Sequence, residues 1–256
     1  ADVHTVGLGG DSHVTFSTNG ARHPGHTAPR PIALGPQRVL PLCRLASEHP
    51  EILDELRRQQ TIKKRALLPS VAQFLVARRS PGPGLAEADR ALVARVQTGA
   101  VSLISLAQEH AHFTFLMERI DRLVAQQLVL RAGFTPTDAL HVLGRFVAWD
   151  VEAARLAAEL LARQLDLSVE AFCTLVAGEV SNRVATELVT KVLSDEVAPA
   201  NWSTEPLAAG LLARALDLVA DTDLACHMTL RQPIVAVGAP VGAYMPGAAE
   251  QLHTEL

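Results

Sequence analysis

A chain of 256 residues can form one large domain or two small ones, and 48% hydrophobic with 20% charged residues is an ordinary globular composition. The formal charge of −4 argues against a general nucleic-acid binder and against a membrane-surface protein. No apolar run approaches the roughly 18 residues needed to cross a bilayer, no signal-peptide pattern is visible, and Cys43, Cys173 and Cys226 form no CxxC pair. That cysteine usage suits a reducing, cytoplasmic setting and offers no zinc framework.

In chain order, residues 1–40 read as β. Val3–Val6 is one predicted strand and His13–Ser17 a second, with His13, Thr15 and Ser17 alternating against Val14 and Phe16. Thr18-Asn19-Gly20 supplies a turn. Residues 21–31 read as loop, and Ile32-Ala33-Leu34 as a short strand stopped by Gly35-Pro36. From Pro50 the texture is helical for about 170 residues, with Pro50 at a first helical position and acids in the following turns. Ser80-Pro81-Gly82-Pro83-Gly84 is the clearest linker. Helices are expected near 86–98, 102–110 and 113–128. Thr135-Pro136-Thr137-Asp138 reads as a capping-box variant, with the acid at N3. Residues 150–164 and 168–194 read as alanine- and leucine-rich helices. In the second, Phe172, Leu175, Val176, Val180, Val184, Leu188 and Val192 form one apolar stripe. Pro233–Val237 reads as a short buried strand, 238–243 as a small-residue turn, and Pro246–Leu252 as a helix.

The densest chemical signal is the run Val3-His4-Thr5-Val6-Gly7-Leu8-Gly9-Gly10-Asp11-Ser12. A β-branched strand opens into a glycine loop that ends in an acid and a hydroxyl. Such a loop can bring backbone N–H groups against an anion; it can equally be a tight hairpin turn. A second strand-to-glycine turn lies at Ile234–Gly242, the arrangement in which α/β proteins hold ligands at the carboxyl ends of strands. With helical sequence between them, these two ends fit a split α/β domain: 1–49 and 226–256 together, and a helical insertion over 50–225.

Four stretches, in order, carry a family resemblance. Asp2-Val3-His4-Thr5-Val6-Gly7-Leu8-Gly9-Gly10-Asp11-Ser12 resembles the glycine motif of the hydantoinase/oxoprolinase family. Ile32-Ala33-Leu34-Gly35-Pro36-Gln37-Arg38 is similar to its G-P-x-R strand end. Thr135–Gly144 is similar to its T-x-T-D-A-x-x-x-L-G motif, and Ile234–Pro240 to its late G-A-P turn. The resemblance implies the C-terminal half of a hydantoinase A-type ATPase subunit. Its fold would be α/β and predominantly helical: a partial actin-like ATPase, RNase H-like subdomain with a large helical insertion. It implies an ATP-dependent amidohydrolase that opens cyclic amides of the 5-oxoproline or hydantoin type. ATP would phosphorylate the amide oxygen before water opens the C–N bond, with Mg²⁺, and K⁺ in some members, at the phosphates. The implied partners are the missing N-terminal half of the same protein, a second hydantoinase B-type subunit and the small cyclic amide. The family's D-x-G-G-T-x-T-D and G-G-T-(T/S)-x-D phosphate loops are absent from this sequence, and Asp11 stands where many members have glycine. The chain alone is therefore expected to be inactive.

On this reading Gly7, Gly9, Gly10 and Ser12, with Gly238, Ala239 and Gly242, are the nucleotide-contacting residues, and Asp2, His4 and Asp11 the catalytic ones. Asp2 and His4, two apart on a strand, face one way and could hold a divalent metal or orient water, or simply form the polar face of an edge strand. Asp11 and Ser12 either contact Mg²⁺ or substrate, or close the turn. Asp138 is assigned to substrate by the motif and to helix capping by its spacing, worth about 1 kcal/mol. Gly238, Ala239 and Gly242 admit either an adenosine-contacting turn or close strand–helix packing. His110 and His112 sit in a helical pattern, and His23, His26 and His49 have no ligand spacing.

Two readings from other classes stand beside this one. Residues 86–134 resemble a winged-helix module: a helix over Ser102–His110, a short break, a second over Phe113–Leu128, then 129–134 as a wing. The same stretch holds five acids (Glu87, Asp89, Glu109, Glu118, Asp121) and five arginines (Arg90, Arg95, Arg119, Arg122, Arg131). Duplex binding draws on a cationic surplus, so a winged-helix shape used for packing or partner contact is expected, without DNA affinity. The other reading is an actin-like reactivase ATPase.

Overall fold

The computed structural model describes residues 8–16, 31–62, 70–110, 112–197, 205–216, 218, 223–224, 226–238 and 241–256. The chain is mixed α and β with helix predominant, and it parts into two compact units. One comprises 1–10, 14–36 and 175–256, the other 11–13 and 37–174. The divisions fall at 10/11, 13/14, 36/37 and 174/175.

The unit of 37–174 is built on a four-stranded sheet. Its strands are β3 (Leu40–Pro41), β4 (Phe74–Ala77), β5 (Val101–Ser102) and β6 (Val129–Gly133), in the order β3-β6-β4-β5. β6 runs parallel to β3, with Leu40 opposite Ala132, and antiparallel to β4, with Phe74 opposite Ala132 and Ala77 opposite Val129. β4 pairs antiparallel with β5. β4, β5 and β6 interrupt the stretch from Pro50 onward that was expected to be helical. They are only two to five residues long, too short for periodicity to separate from buried helix.

Around the sheet lie α1 (Leu42–Glu48), α2 (Ile52–Gln60), α3 (Glu87–Gln97), α4 (Leu103–Glu109), α5 (Phe113–Ala125), α6 (Pro136–Val142) and α7 (Val151–Ala162). α3, α4 and α5 bury Leu92, Val93, Leu106, Leu116, Ile120 and Leu123 against Leu75 and Val129. Each apolar set recurs every three to four residues, which places it on one helix face. Ser102 starts α4 by accepting the Ser105 N–H at 3.1 Å, and Asp150 starts α7 by accepting the Ala153 N–H at 2.7 Å. α7 packs on α1, α2 and α6 through Ala153, Ala154, Ala157 and Ala158, whose small side chains let the helices approach closely. The Ser80–Gly84 stretch joins β4 to α3 inside this unit and separates no domains. Residues 129–133, within the stretch 129–134 expected as a wing, form an inner strand flanked by β3 and β4.

β1 (Ser12–Phe16) and β2 (Ile32–Arg38) form a two-stranded sheet, each divided between the units at 13/14 and 36/37, and β2 continues through Gly35-Pro36 where a stop was expected. The other unit is otherwise helical. α8 (Val169–Glu196) crosses the 174/175 division. From Leu175 on, it packs with α9 (Pro206–Ala215) and α10 (Val241–Gln251) around Ala185, Val189, Leu212, Leu216, Ile234, Ala248, Ala249 and Leu252. α10 begins five residues before the expected start and encloses Pro246. Pro233–Val237, expected as a buried strand, joins no sheet among the described residues, and Val235 and Val237 are 87% and 93% exposed. The run is apolar enough to be covered; nothing among the described residues covers its outer side chains. The expected Val3–Val6 strand and 18–20 turn lie outside the described residues. No helix among the described residues is long and apolar enough to cross a membrane.

Candidate functional site

The glycine loop and the late glycine turn meet. Leu8, Gly9 and Gly10 line a cavity of about 150 Å³ together with Val237 and Val241, which flank the Gly238 turn on either side. α8 supplies Val180 and Val184 to the floor, and α10 adds Tyr244 and Met245. More than 220 residues of chain separate the two turns. Gly238 has a φ of +134°, a conformation that a side chain would strain, so the turn that brings Val237 round to Val241 depends on glycine there. The lining residues carry no charge and are mostly aliphatic, which suits a flat apolar group better than a charged one.

The other predicted residues fall as follows. Asp2, His4, Gly7 and Ala239 lie outside the described residues. Gly242 lies in the first turn of α10, and a Cβ built there would meet nothing within 4 Å; packing does not require glycine at that position. Asp11 and Ser12 do not line the cavity. Asp11 forms an exposed ion pair with Arg38 at 3.5 Å and accepts the Val39 N–H on its carbonyl at 3.0 Å. Ser12 is buried at the start of β1. Among the described residues no group of three or more histidines, cysteines or carboxylates is placed to hold a metal.

Asp138 is completely buried. Its Oδ2 accepts the Thr135 N–H at 2.9 Å and the Thr135 hydroxyl at 2.8 Å, and its own N–H meets Thr135 Oγ1 at 3.4 Å, closing the capping box read from the sequence. Its Oδ1 accepts the Cys43 N–H at 2.7 Å, across 95 residues of chain. A carboxylate held in this way pins the start of α6 to the start of α1, and as placed it presents no oxygen to a substrate. Burial pushes its carboxyl above the usual range, against the hydrogen bonds from Cys43 and Thr135. Burial and the neighbouring Asp138 carboxyl push the Cys43 thiol strongly up. Burial first, then Asp138, pushes Cys173 up to about 12. Both thiols are thus protonated and inert at neutral pH.

Sequence reasoning missed an aromatic cluster beside this cap. His141 Nε2 lies 3.1 Å from the N–H groups of both Ala148 and Trp149, so it is an acceptor; Nδ1 carries the proton and donates to the Thr137 carbonyl at 2.8 Å. The pinned loop stacks Trp149 on His141 with ring centroids 5.7 Å apart, and sets Phe146 edge-on at 5.3 Å. Arg44 lies 6.0 Å over Trp149. His141 sits within the Thr135–Gly144 motif, but nothing in its spacing announces partners seven and eight residues later.

No family model matches the chain, and no curated protein or solved structure matches it.

Proposed function

We propose that this chain is part of an ATP-dependent amidohydrolase that opens cyclic amides of the 5-oxoproline or hydantoin type, and that Gly9 and Gly10 with Val237 and Val241 contribute one wall of its nucleotide site. One observation carries the reading: Gly9 and Gly10 share a cavity with Val237 and Val241. The two motifs that resemble the family's nucleotide-contacting segments are thereby neighbours in one compact unit, although they stand at opposite ends of the chain.

The cavity's chemistry fits only part of ATP. A hollow of about 150 Å³ with aliphatic walls suits a purine ring, since whole-ligand pockets are typically ~300 Å³ or more. Val180, Val184, Val237 and Val241 would clasp the ring faces. The described residues show no ligand set for Mg²⁺ or K⁺, and Asp11 is already paired with Arg38. On the family resemblance, the polyphosphate and its cations would be held by the phosphate loops that this sequence lacks. When bound, ATP supplies the phosphoryl group that converts the amide oxygen into a leaving group; this chain's share is to orient the base and keep water from it.

A winged-helix-like arrangement of α3, β5, α4, α5 and β6 remains a proposal about shape alone. Arg119 and Arg122 are paired with Asp89 at 2.9 and 3.3 Å, and Arg131 with Asp121 at 2.8 Å. Three of the five arginines that would have to meet phosphates are thus already committed, and partner contact is the better use of that surface.

The experiment is ATP turnover by the full-length protein with and without 5-oxoproline or hydantoin. Turnover stimulated by the cyclic amide and abolished by Gly9→Val, with the thermal melt unchanged, is the expected result. Turnover indifferent to both amides points to the reactivase reading, and wild-type turnover in Gly9→Val removes the loop from the mechanism.

A further inference from the structure

The middle of the loop after α6 is held by one ring atom. Gly144 turns the chain out of the helix at a φ of +66°, and the Arg145 N–H donates back to the Leu140 carbonyl at 3.0 Å. At the far end the Asp150 N–H donates to the Cys43 carbonyl at 3.2 Å, and the Asp150 carboxylate starts α7. Between these two ties the Ala148 and Trp149 N–H groups both point at Nε2 of His141, each 3.1 Å away. The ring is only 1% exposed, and its Nδ1–H is spent on the Thr137 carbonyl at 2.8 Å. Trp149 lies over the imidazole with the ring planes 11° apart, and Phe146 meets it edge-on.

A neutral imidazole with its proton on Nδ1 has one acceptor, and both loop amides use it. A further proton must land on Nε2, since Nδ1 is filled. Three donors would then face one another on a ring that solvent barely reaches, and a buried donor without an acceptor is costly. Protonation of His141 and closure of the loop therefore exclude each other. We propose that His141 is a proton-operated latch, closed over residues 147–149 while the ring is neutral and opened when acid protonates it. Histidine is the side chain that changes charge between about pH 5 and 8, and opening frees the Trp149 ring from the imidazole face. The surrounding charges are engaged elsewhere. On α6, the Asp138 carboxyl accepts from Cys43 and Thr135. On α1, Arg44 lies 6.0 Å over Trp149 and pairs with Glu48 at 3.8 Å. On α7, Glu152 pairs with Arg57, and Arg155 with Glu159 and Glu170. In the loop Asp150 caps α7 and Arg145 is exposed, while the buried Cys43 and Cys173 thiols stay neutral. The hydrogen bonds of the imidazole go to backbone groups alone among the described residues.

The test is amide hydrogen exchange by NMR from pH 8 down to pH 5, with each rate expressed as protection relative to unstructured peptide at the same pH. Opening takes up one proton, so protection of the Ala148 and Trp149 amides should fall by about 10-fold per unit between about pH 6 and 5. Ala157 and Ala158, inside α7, should keep theirs. At pH 8 the nitrogen-15 spectrum of the ring should show its proton on Nδ1. His141→Gln offers the two amides an oxygen that cannot titrate, so they should stay protected throughout; His141→Ala offers no acceptor, and they should exchange freely at every pH. Should the glutamine fail to reach the amides, both variants exchange freely, and the wild-type slope with its ring spectrum decides. Wild-type protection constant from pH 8 to 5, or a proton on Nε2 at pH 8, overturns the proposal. So does the same acid slope in His141→Gln, which would move the trigger to Asp138. Equal losses at Ala157 and Ala158 overturn it as well, since acid would then be unfolding the whole unit.

Discussion

At Asp138, one carboxylate joins two segments that are remote in sequence. Three donors converge on it, the Cys43 N–H at 2.7 Å, the Thr135 N–H at 2.9 Å and the Thr135 hydroxyl at 2.8 Å. In Asp138→Asn, one amide face can still accept from Cys43, but the other presents N–H₂ to the Thr135 N–H, donor against donor. A buried donor left without an acceptor costs about 1–3 kcal/mol, so urea denaturation of Asp138→Asn should show a loss of that size. Thr135→Ser keeps both bonds and should cost under about 1 kcal/mol. If Asp138 instead served substrate, the asparagine variant would alter KM in the full-length enzyme and leave the urea midpoint unmoved. The capping half of this arrangement was legible because it is local: Thr and Asp three apart, with proline between them, specify a helix start. The Cys43 half was not, because no periodicity reports a contact 95 residues away, and a lone buried cysteine reads as packing.

Among the elements, α8 and α10 show what a pattern of apolar residues can and cannot convey. The stripe Phe172, Val176, Val180, Val184 was legible at helical spacing, and all four lie on α8. That Val180 and Val184 floor a cavity and do not simply fill a core was not, because the glycine loop that leaves the space open sits some 170 residues earlier. Pro246 misled in the same way: proline favours a first helical turn, yet α10 already runs from Val241 and carries Pro246 inside it. The Pro233–Val237 run was read as buried because composition reports the wish to be covered and is silent on whether a partner is there. The contact between the two helices is close at Gly247, where a Cβ would come within 2.9 Å of Ser181 Oγ and 3.2 Å of Ser181 Cβ. Ser181 in turn donates its hydroxyl to the Tyr244 carbonyl at 2.9 Å. Gly247→Ala should force that hydroxyl aside, break its bond and cost about 1–3 kcal/mol by overpacking, despite alanine's better helix propensity. In the background of Ser181→Ala the clashing oxygen is gone, so the same glycine substitution should cost at least about 0.5 kcal/mol less. Additive losses in that double-mutant cycle, measured by chemical denaturation, would show that the two residues do not touch.

The stability of the molecule as a whole should carry an acid limb traceable to His13. The imidazole is buried in β1, its ring lies against Gly133, where a Cβ would fall 2.9 Å from Nε2, and Arg131 adds its charge nearby. Burial first and Arg131 second lower its pKa from 6.5 to about 4. The Asp121 carboxylate, 2.8 Å from Arg131, is itself mostly exposed and relieves little of this. With the folded pKa depressed, the unfolded chain binds the proton more readily between those two values. Stability contributed by neutral His13 is therefore full above about pH 6.5 and is lost progressively as pH falls toward 4, at a limiting slope of about 1.4 kcal/mol per pH unit and roughly 3 kcal/mol in all. Asp138 works in the opposite sense, its raised pKa favouring the folded state on the acid side, so the wild-type curve alone mixes the two. The difference between wild type and His13→Leu isolates the histidine, because leucine cannot titrate and Asp138 is common to both. That difference, from urea unfolding at pH 7.5, 6, 5 and 4, should shift steadily in favour of the leucine variant below pH 6.5. Two units are present, so the transition followed should be that of the unit of 11–13 and 37–174, reported by Trp149 with Trp202, in the other unit, replaced by phenylalanine. A pH-independent difference would mean that His13 is as easily protonated in the folded chain as in the unfolded one, and that its ring is not held against Gly133 in solution.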